Sequence, residues 1–178
     1  MKPEDYAAAA SRICTACGMC CDGTMFQIVK LQTGDRPAEL GKLGLKVRSR
    51  DGEFFMEQPC SALRDTCCTV YEKRPARCRL FHCQQLRLLD GDQTTEREVM
   101  ALIASARELV EQVHSLILQN GLREDGQALL DRYERVMSTP VDAELEPELA
   151  AARQSLEAAM RKLRRLLNRE FRPPPLSN

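Results

Sequence analysis

Apolar residues recur at three- and four-residue steps through Val99, Leu102, Ile103, Ala106, Leu109, Val110, Val113, Leu116 and Ile117, the pattern of a helix with one buried stripe. Thr95 with Glu98 offers a capping box at its start, and Asn120-Gly121 a left-handed stop. Together they predict a long helix over about 95–120. A shorter helix is expected over about 123–138, carrying Leu129, Leu130, Tyr133, Val136 and Met137 and ending near Ser138-Thr139-Pro140. A second long helix, about 144–170, repeats the stripe through Leu149, Ala152, Leu156, Ala159, Met160, Leu163, Leu166 and Leu167. Its start is acidic (Asp142, Glu144, Glu146, Glu148) and its end basic (Arg161, Lys162, Arg164, Arg165, Arg169, Arg172), a polarity that suits the helix dipole. Two long helices with matching stripes are expected to pack as an antiparallel hairpin or to pair across a dimer. The prolines from Pro173 to Pro175 cannot continue a helix and predict an extended tail.

The first half is less periodic. Pro3 to Arg12 reads as a short alanine-rich helix, and Met25–Leu31 and Glu53–Glu57 as short strands. Pro75 is placed for the first turn of a helix running through Leu80, Leu86 and Leu89. The composition shifts near Asp90-Gly91-Asp92, a turn signal. The expected organisation is therefore a small irregular cysteine-rich domain over 1–90 and a helical hairpin with a proline-rich tail over 91–178. The fold class is mainly α, with a few short strands.

Composition changes the picture through cysteine. All nine cysteines lie between Cys14 and Cys83, in a chain of 178 residues without tryptophan. That density belongs to disulfide scaffolds or metal domains rather than to ordinary cores. The N-terminus lacks the basic and apolar regions of a secretory signal, so a cytoplasmic location is expected, where thiols stay reduced. An odd count also suits a disulfide framework poorly. The cysteines therefore read as thiolates for metal. Lys plus Arg equal Asp plus Glu at 26 each, which argues against a nucleic-acid-coating protein. No apolar run approaches the ~20 residues of a membrane span.

The strongest motif is CTACGMCC, with Cys14, Cys17, Cys20 and Cys21. Three-residue spacing in a tight loop turns successive sulfurs toward one centre, the arrangement that holds zinc or iron–sulfur clusters. A C-x2-C-x2-C run with a remote fourth cysteine is similar to [4Fe–4S] ligation. Adjacent Cys20 and Cys21 diverge, so either one is spare or the two serve different centres. Two four-sulfur sites, or one site with spare cysteines, both satisfy the count. Arg64, Lys73, Arg74, Arg77 and Arg79 share the segment Cys60–Cys83 and would offset thiolate charge. His82 beside Cys83 is a candidate to replace a sulfur, whereas His114 lies on the apolar stripe of the long helix.

CTACGMCC, then Pro59-Cys60, then CTVYEKRPARCRLFHC from Cys68 to Cys83 resembles the YkgJ-type cysteine-cluster proteins, the CxxCxxCC family described as zinc- or iron-chelating. The resemblance covers Cys14 to Cys83. It implies metal ligation by Cys14, Cys17, Cys20, Cys21, Cys60, Cys68, Cys78 and Cys83, with Tyr71, Arg74, Arg79 and Phe81 around the cofactor. Tyr71 and Phe81 would then shield the sulfurs. Cys67 falls outside the pattern and is the candidate spare. Flagellin lysine methylases carry a similar cysteine pattern, with an iron–sulfur cluster implied.

The reading that follows is a cytosolic metal-binding protein holding a [4Fe–4S] cluster or Zn2+, with the hairpin meeting a protein partner or a second copy. The alternatives are a cluster-dependent enzyme, such as an S-adenosylmethionine-dependent protein methyltransferase, and an interaction module with purely structural zinc. No dinucleotide fingerprint, P-loop, zincin motif or nucleophile elbow occurs in the chain.

Overall fold

The computed structural model describes residues 2–123 and 126–174. Among them the elements run α1 (Pro3–Cys17), β1 (Ile28–Lys30), α2 (Pro37–Lys42), β2 (Val47–Arg50), β3 (Glu53–Glu57), β4 (Leu63–Arg64), β5 (Cys67–Cys68), α3 (Ala76–Leu80), α4 (Gln84–Asp90), α5 (Glu96–Gln119), α6 (Leu129–Ser138) and α7 (Pro147–Leu166). The chain is mainly α with short strands, and no described helix is long and apolar enough to cross a membrane. Two compact units form. Among the described residues, the first takes those up to Cys17, His82–Arg123 and 133–174. The second takes Gly18–Phe81 and the stretch that ends at Arg132. The division between these units passes through the cysteine motif, between Cys17 and Gly18.

The first unit is helical. The stripe on α5 buries Val99, Ile103, Ala106, Val110, Val113 and Ile117, and α7 buries Leu156, Ala159, Met160 and Leu163. α5 packs along α7 and against α1, which contributes Ala9 and Ile13. Burying each large apolar side chain contributes about 1.5–3 kcal/mol, against at most about 0.7 kcal/mol per residue between ordinary helix formers. Packing, not propensity, therefore holds these helices. α7 stops at Leu166, and the chain continues through a widened π turn over Leu167–Phe171. Its closing bond runs from the Arg172 amide to the Leu167 carbonyl at 2.9 Å, and buried Gln85 donates to the Glu170 carbonyl at 2.6 Å. That turn drives Leu167 and Phe171 into the core. Pro175, in the expected proline tail, lies outside the described residues, as do Glu124 and Asp125 ahead of α6. α6 itself starts at Leu129, later than the sequence pattern suggests.

The capping box at α5 is present in full: Thr95 Oγ1 accepts from the Glu98 amide at 3.3 Å, and the Glu98 carboxylate accepts from the Thr95 amide at 2.8 Å. Thr95→Ala removes the first of these bonds and is expected to cost about 1 kcal/mol, readable as a lower denaturation midpoint with unchanged native helicity.

The second unit is built on two tight hairpins. β3 is the central strand of an antiparallel sheet ordered β1-β3-β2, with Arg50 opposite Glu53 and Ile28 opposite Glu57. The β2–β3 turn is Asp51-Gly52, both at positive φ (52° and 79°), the geometry that matches hairpin twist. A second hairpin pairs Leu63 with Cys68 and Arg64 with Cys67. Leu40, Leu45, Met56 and Ala62 form the core, with Val29, Leu31, Val47, Val70, Cys60 and Cys78 packed around it. Two cysteines are therefore part of the apolar wall of this unit.

Candidate metal centre

In the second unit local rules place Cys21, Cys60, Cys68 and Cys78. α1 ends as Gly18 takes φ 65°, and the Cys21 and Asp22 amides return to the Gly18 carbonyl at 2.8 and 3.1 Å. This curls the chain so that the Cys21 carbonyl receives the Cys60 amide at 2.7 Å. Cys67 and Cys68 sit on a strand, where side chains alternate; Cys67 is exposed and Cys68 half-buried. Cys78 lies on α3, whose first amide (Ala76) donates to Asp35 Oδ1 at 2.8 Å. Asp35 is a positioning residue that the cysteine spacing does not reveal, because it acts from 41 residues away.

Electrostatics links the same four sulfurs. Burial pushes the Cys21 thiol up to about 12, and the negative charges of Cys60, Cys78, Cys68 and Asp22 add to it in that order. Cys78 is pushed up to about 11, again chiefly by burial and then by Cys60, while Arg74 pulls it down. Burial also raises Cys60, against the lowering effect of the Ala62 and Leu63 amides. Burial thus opposes the thiolate forms of Cys21, Cys60 and Cys78, a cost that a bound cation would offset.

The remaining cysteines are placed differently. Cys14 and Cys17 occupy the last turns of α1, exposed and half-buried respectively. The loop expected around them is helical instead, because four alanines lead into it and no breaker precedes Gly18. Cys83 is the N-cap of α4, raised by burial and lowered by the Leu86 and Gln85 amides. Cys20 belongs to the second unit, its Sγ 4.0 Å from Met25 Sδ.

Of the surrounding residues, Arg74 stacks its guanidinium 3.5 Å above the Tyr71 ring and donates from Nε to the Tyr71 carbonyl at 2.8 Å. Tyr71 is itself 42% exposed. Phe81 is half-buried and meets Phe26 edge-on at 5.2 Å. Arg79, Arg77 and Lys73 are exposed, and Arg64 caps the Ser61 and Leu63 carbonyls. His82 is exposed, its Nδ1 3.4 Å from the Tyr6 hydroxyl, and His114 is half-buried on α5.

Among the described residues no three His, Cys, Asp or Glu side chains already stand in metal-holding geometry. The donor chemistry nevertheless fits a thiophilic cation: the gathered groups are thiols set against apolar residues of the core. A family model described as "Putative zinc- or iron-chelating domain" matches residues 13–102, just over half of the chain and all nine cysteines. The chain belongs to the CxxCxxCC family. No curated protein and no solved structure matches it. The CxxCxxCC region spans both compact units, ending inside α5.

Proposed function

We propose that this CxxCxxCC protein binds a metal through thiolates, and that Cys21, Cys60, Cys68 and Cys78 of the second unit form a four-sulfur centre. What supports the reading is that the charges of Cys60, Cys78 and Cys68, on a loop, a short helix and a hairpin strand, all act on the buried Cys21 thiol, whose own carbonyl accepts the Cys60 amide at 2.7 Å. The centre would take Zn2+ or an iron–sulfur cluster, both of which four thiolates satisfy. Bound, either supplies positive charge that lets buried sulfurs stay ionised. Arg74, braced on Tyr71, adds further positive charge beside Cys78. Asp35 fixes α3 and with it the direction of Cys78. A cavity of about 360 Å3 opens beside Lys30, Gly34, Asp35 and Phe54, and no cysteine lines it. Keeping the thiols reduced suits a reducing compartment such as the cytoplasm; association of the helical unit with a partner or second copy would be a separate role, through exposed faces of α5 and α7, since their apolar stripes are buried within the unit.

The test is metal and acid-labile sulfide analysis with an absorption spectrum on anaerobically purified protein. Sulfide with a broad visible band identifies a cluster; colourless protein with stoichiometric zinc identifies zinc. Cys21→Ser and Cys60→Ser should each lower the metal content, and Cys67→Ser should leave it unchanged. Fully folded wild-type protein with neither metal, and with no uptake on addition, would overturn the proposal.

A further inference from the structure

The charges of opposite sign at the two ends of α7 all lie on the surface of the first unit. Asp142, Glu144, Glu146 and Glu148 are exposed at its start, and Arg161, Lys162, Arg164, Arg165, Arg169 and Arg172 are exposed toward its end. Arg161 pairs with Glu157 at 3.2 Å, Arg169 pairs with Glu170, and Arg164 lies over the Tyr133 ring at 5.4 Å. Among the described residues Glu148, Lys162 and Arg165 have no ion-pair partner. The helix dipole accounts for charge in the first and last turns only. The helical run continues to Phe171, so Arg161, Lys162 and Arg165 stand more than a turn inside it. Arg161 and Arg165 are four residues apart and Lys162 and Arg165 three, spacings at which like charges destabilise a helix. An anionic surface facing this run would offset the repulsion.

The same helix carries such a surface in matching register. Glu148 and Lys162 are each seven residues from Ser155, and steps of seven return a helix to nearly the same face. Ala151, Ser155 and Ala158, between them, are exposed and short. Two copies laid antiparallel across a two-fold axis at Ser155 bring Glu148 of each opposite Lys162 of the other, about 10 Å from the axis. Leu145, 80% exposed just ahead of α7, lies as far before Ser155 as Arg165 lies after it, so the apolar stem of Arg165 can cover it. The chain has no net charge, and copies therefore do not repel one another at long range.

We propose that the exposed face of α7 is a self-association surface, on which two copies of this chain pair antiparallel, the acidic end of each against the basic end of the other. A duplex nucleic acid would satisfy the cations alone and would meet the acidic end with repulsion. The pairing uses no cysteine, so its failure leaves the metal reading untouched.

Sedimentation equilibrium of the reduced full-length protein at about 50 mM and about 500 mM NaCl measures the pairing. A dimer is expected at low salt, weakened about tenfold or more at high salt. Glu148→Lys sets lysine against lysine across the axis, and Lys162→Glu sets glutamate against glutamate. Each alone should weaken the dimer about tenfold or more. An equimolar mixture of the two variants regains both opposite-charge pairs and should form a heterodimer of near wild-type strength, as should the double variant Glu148→Lys/Lys162→Glu with itself. Both positions are exposed, and far-UV circular dichroism checks that the variants fold. Wild-type protein that stays monomeric at low salt and about 100 μM overturns the proposal. So does a dimer that neither reversal weakens, or a mixture that associates no more tightly than its components. A monomer that instead binds a duplex RNA of about 20 base pairs, and loses it in Lys162→Glu, overturns it in favour of a nucleic-acid surface.

Discussion

Lowering the pH by one unit between 8 and 6 is expected to weaken metal binding at the four-sulfur centre by at least about a thousandfold. Cys21 (about 12), Cys78 (about 11) and Cys60 all have thiol pKa values raised above the ordinary 9.0. All three are protonated throughout that range in the metal-free protein, and each must release its proton to ligate. These three alone release about three protons per metal bound, so apparent affinity scales with at least about the third power of proton dilution. An exposed thiol pair would release fewer. Competition against a chromophoric chelator at half-unit pH steps reads the slope directly. A slope near one would mean that the buried sulfurs are not the ligands. The same shifts govern the metal-free fold, with the sign of an acid whose folded pKa is raised. Stability is fully present below the unfolded thiol pKa and is lost as pH climbs from about 9 toward the folded values near 11 and 12.

The helical part of the fold was legible because its signal is repetitive. α5 carries six buried positions at helical spacing between a capping box and a left-handed glycine, and each of those features lies within a few residues of the next. Strand β3 was legible from its aromatic run, and β1 within a longer apolar one. What escaped was structure set by single turn residues. The Asp51-Gly52 turn creates β2 as a partner for β3, yet β2 itself (Val-Arg-Ser-Arg) has little apolar content to announce it. α1 runs past Arg12 to Cys17 because nothing local stops it, so the first two cysteines ride on a helix instead of a loop. Pro75 starts a helix as expected, but α3 ends at Leu80 and a separate α4 begins after Cys83.

The cysteine site was legible as chemistry and not as partition. Spacing marks the candidate ligands, and the divergence of Cys20 from Cys21 raised the choice between a spare thiol and two centres. Assigning each sulfur to a partner needs contacts spanning roughly 40 to 60 residues, such as Cys21 with Cys60 and Cys78. Those depend on how the hairpins fold back, which periodicity does not encode. Asp35, which holds α3, belongs to the same class of long-range determinant.

Gly23→Ala is expected to destabilise the second unit by about 2–5 kcal/mol, the cost of a left-handed alanine together with an overpacked contact. Gly23 has φ 86°, and a Cβ there would stand 2.8 Å from the Ala128 Cα, a backbone atom with no rotamer to yield. Its carbonyl also accepts the Leu129 amide at 3.0 Å, so moving the backbone away breaks a bond that ties the start of α6 to the turn after Cys21. Gly18 supplies the contrast. It too is left-handed, at φ 65°, but its Cβ would meet the Thr66 methyl at 3.3 Å, a side-chain atom. Gly18→Ala should therefore cost mainly the conformational strain, about 1–2 kcal/mol. Urea denaturation of both metal-free variants gives the two costs, and the alkylation rate of Cys60 gives a local readout of the second unit. Faster alkylation and the larger loss are expected in Gly23→Ala. Equal losses in the two variants would show that the contact with Ala128 is not tight in solution, and that left-handed strain alone sets the requirement for glycine on either side of Cys20 and Cys21.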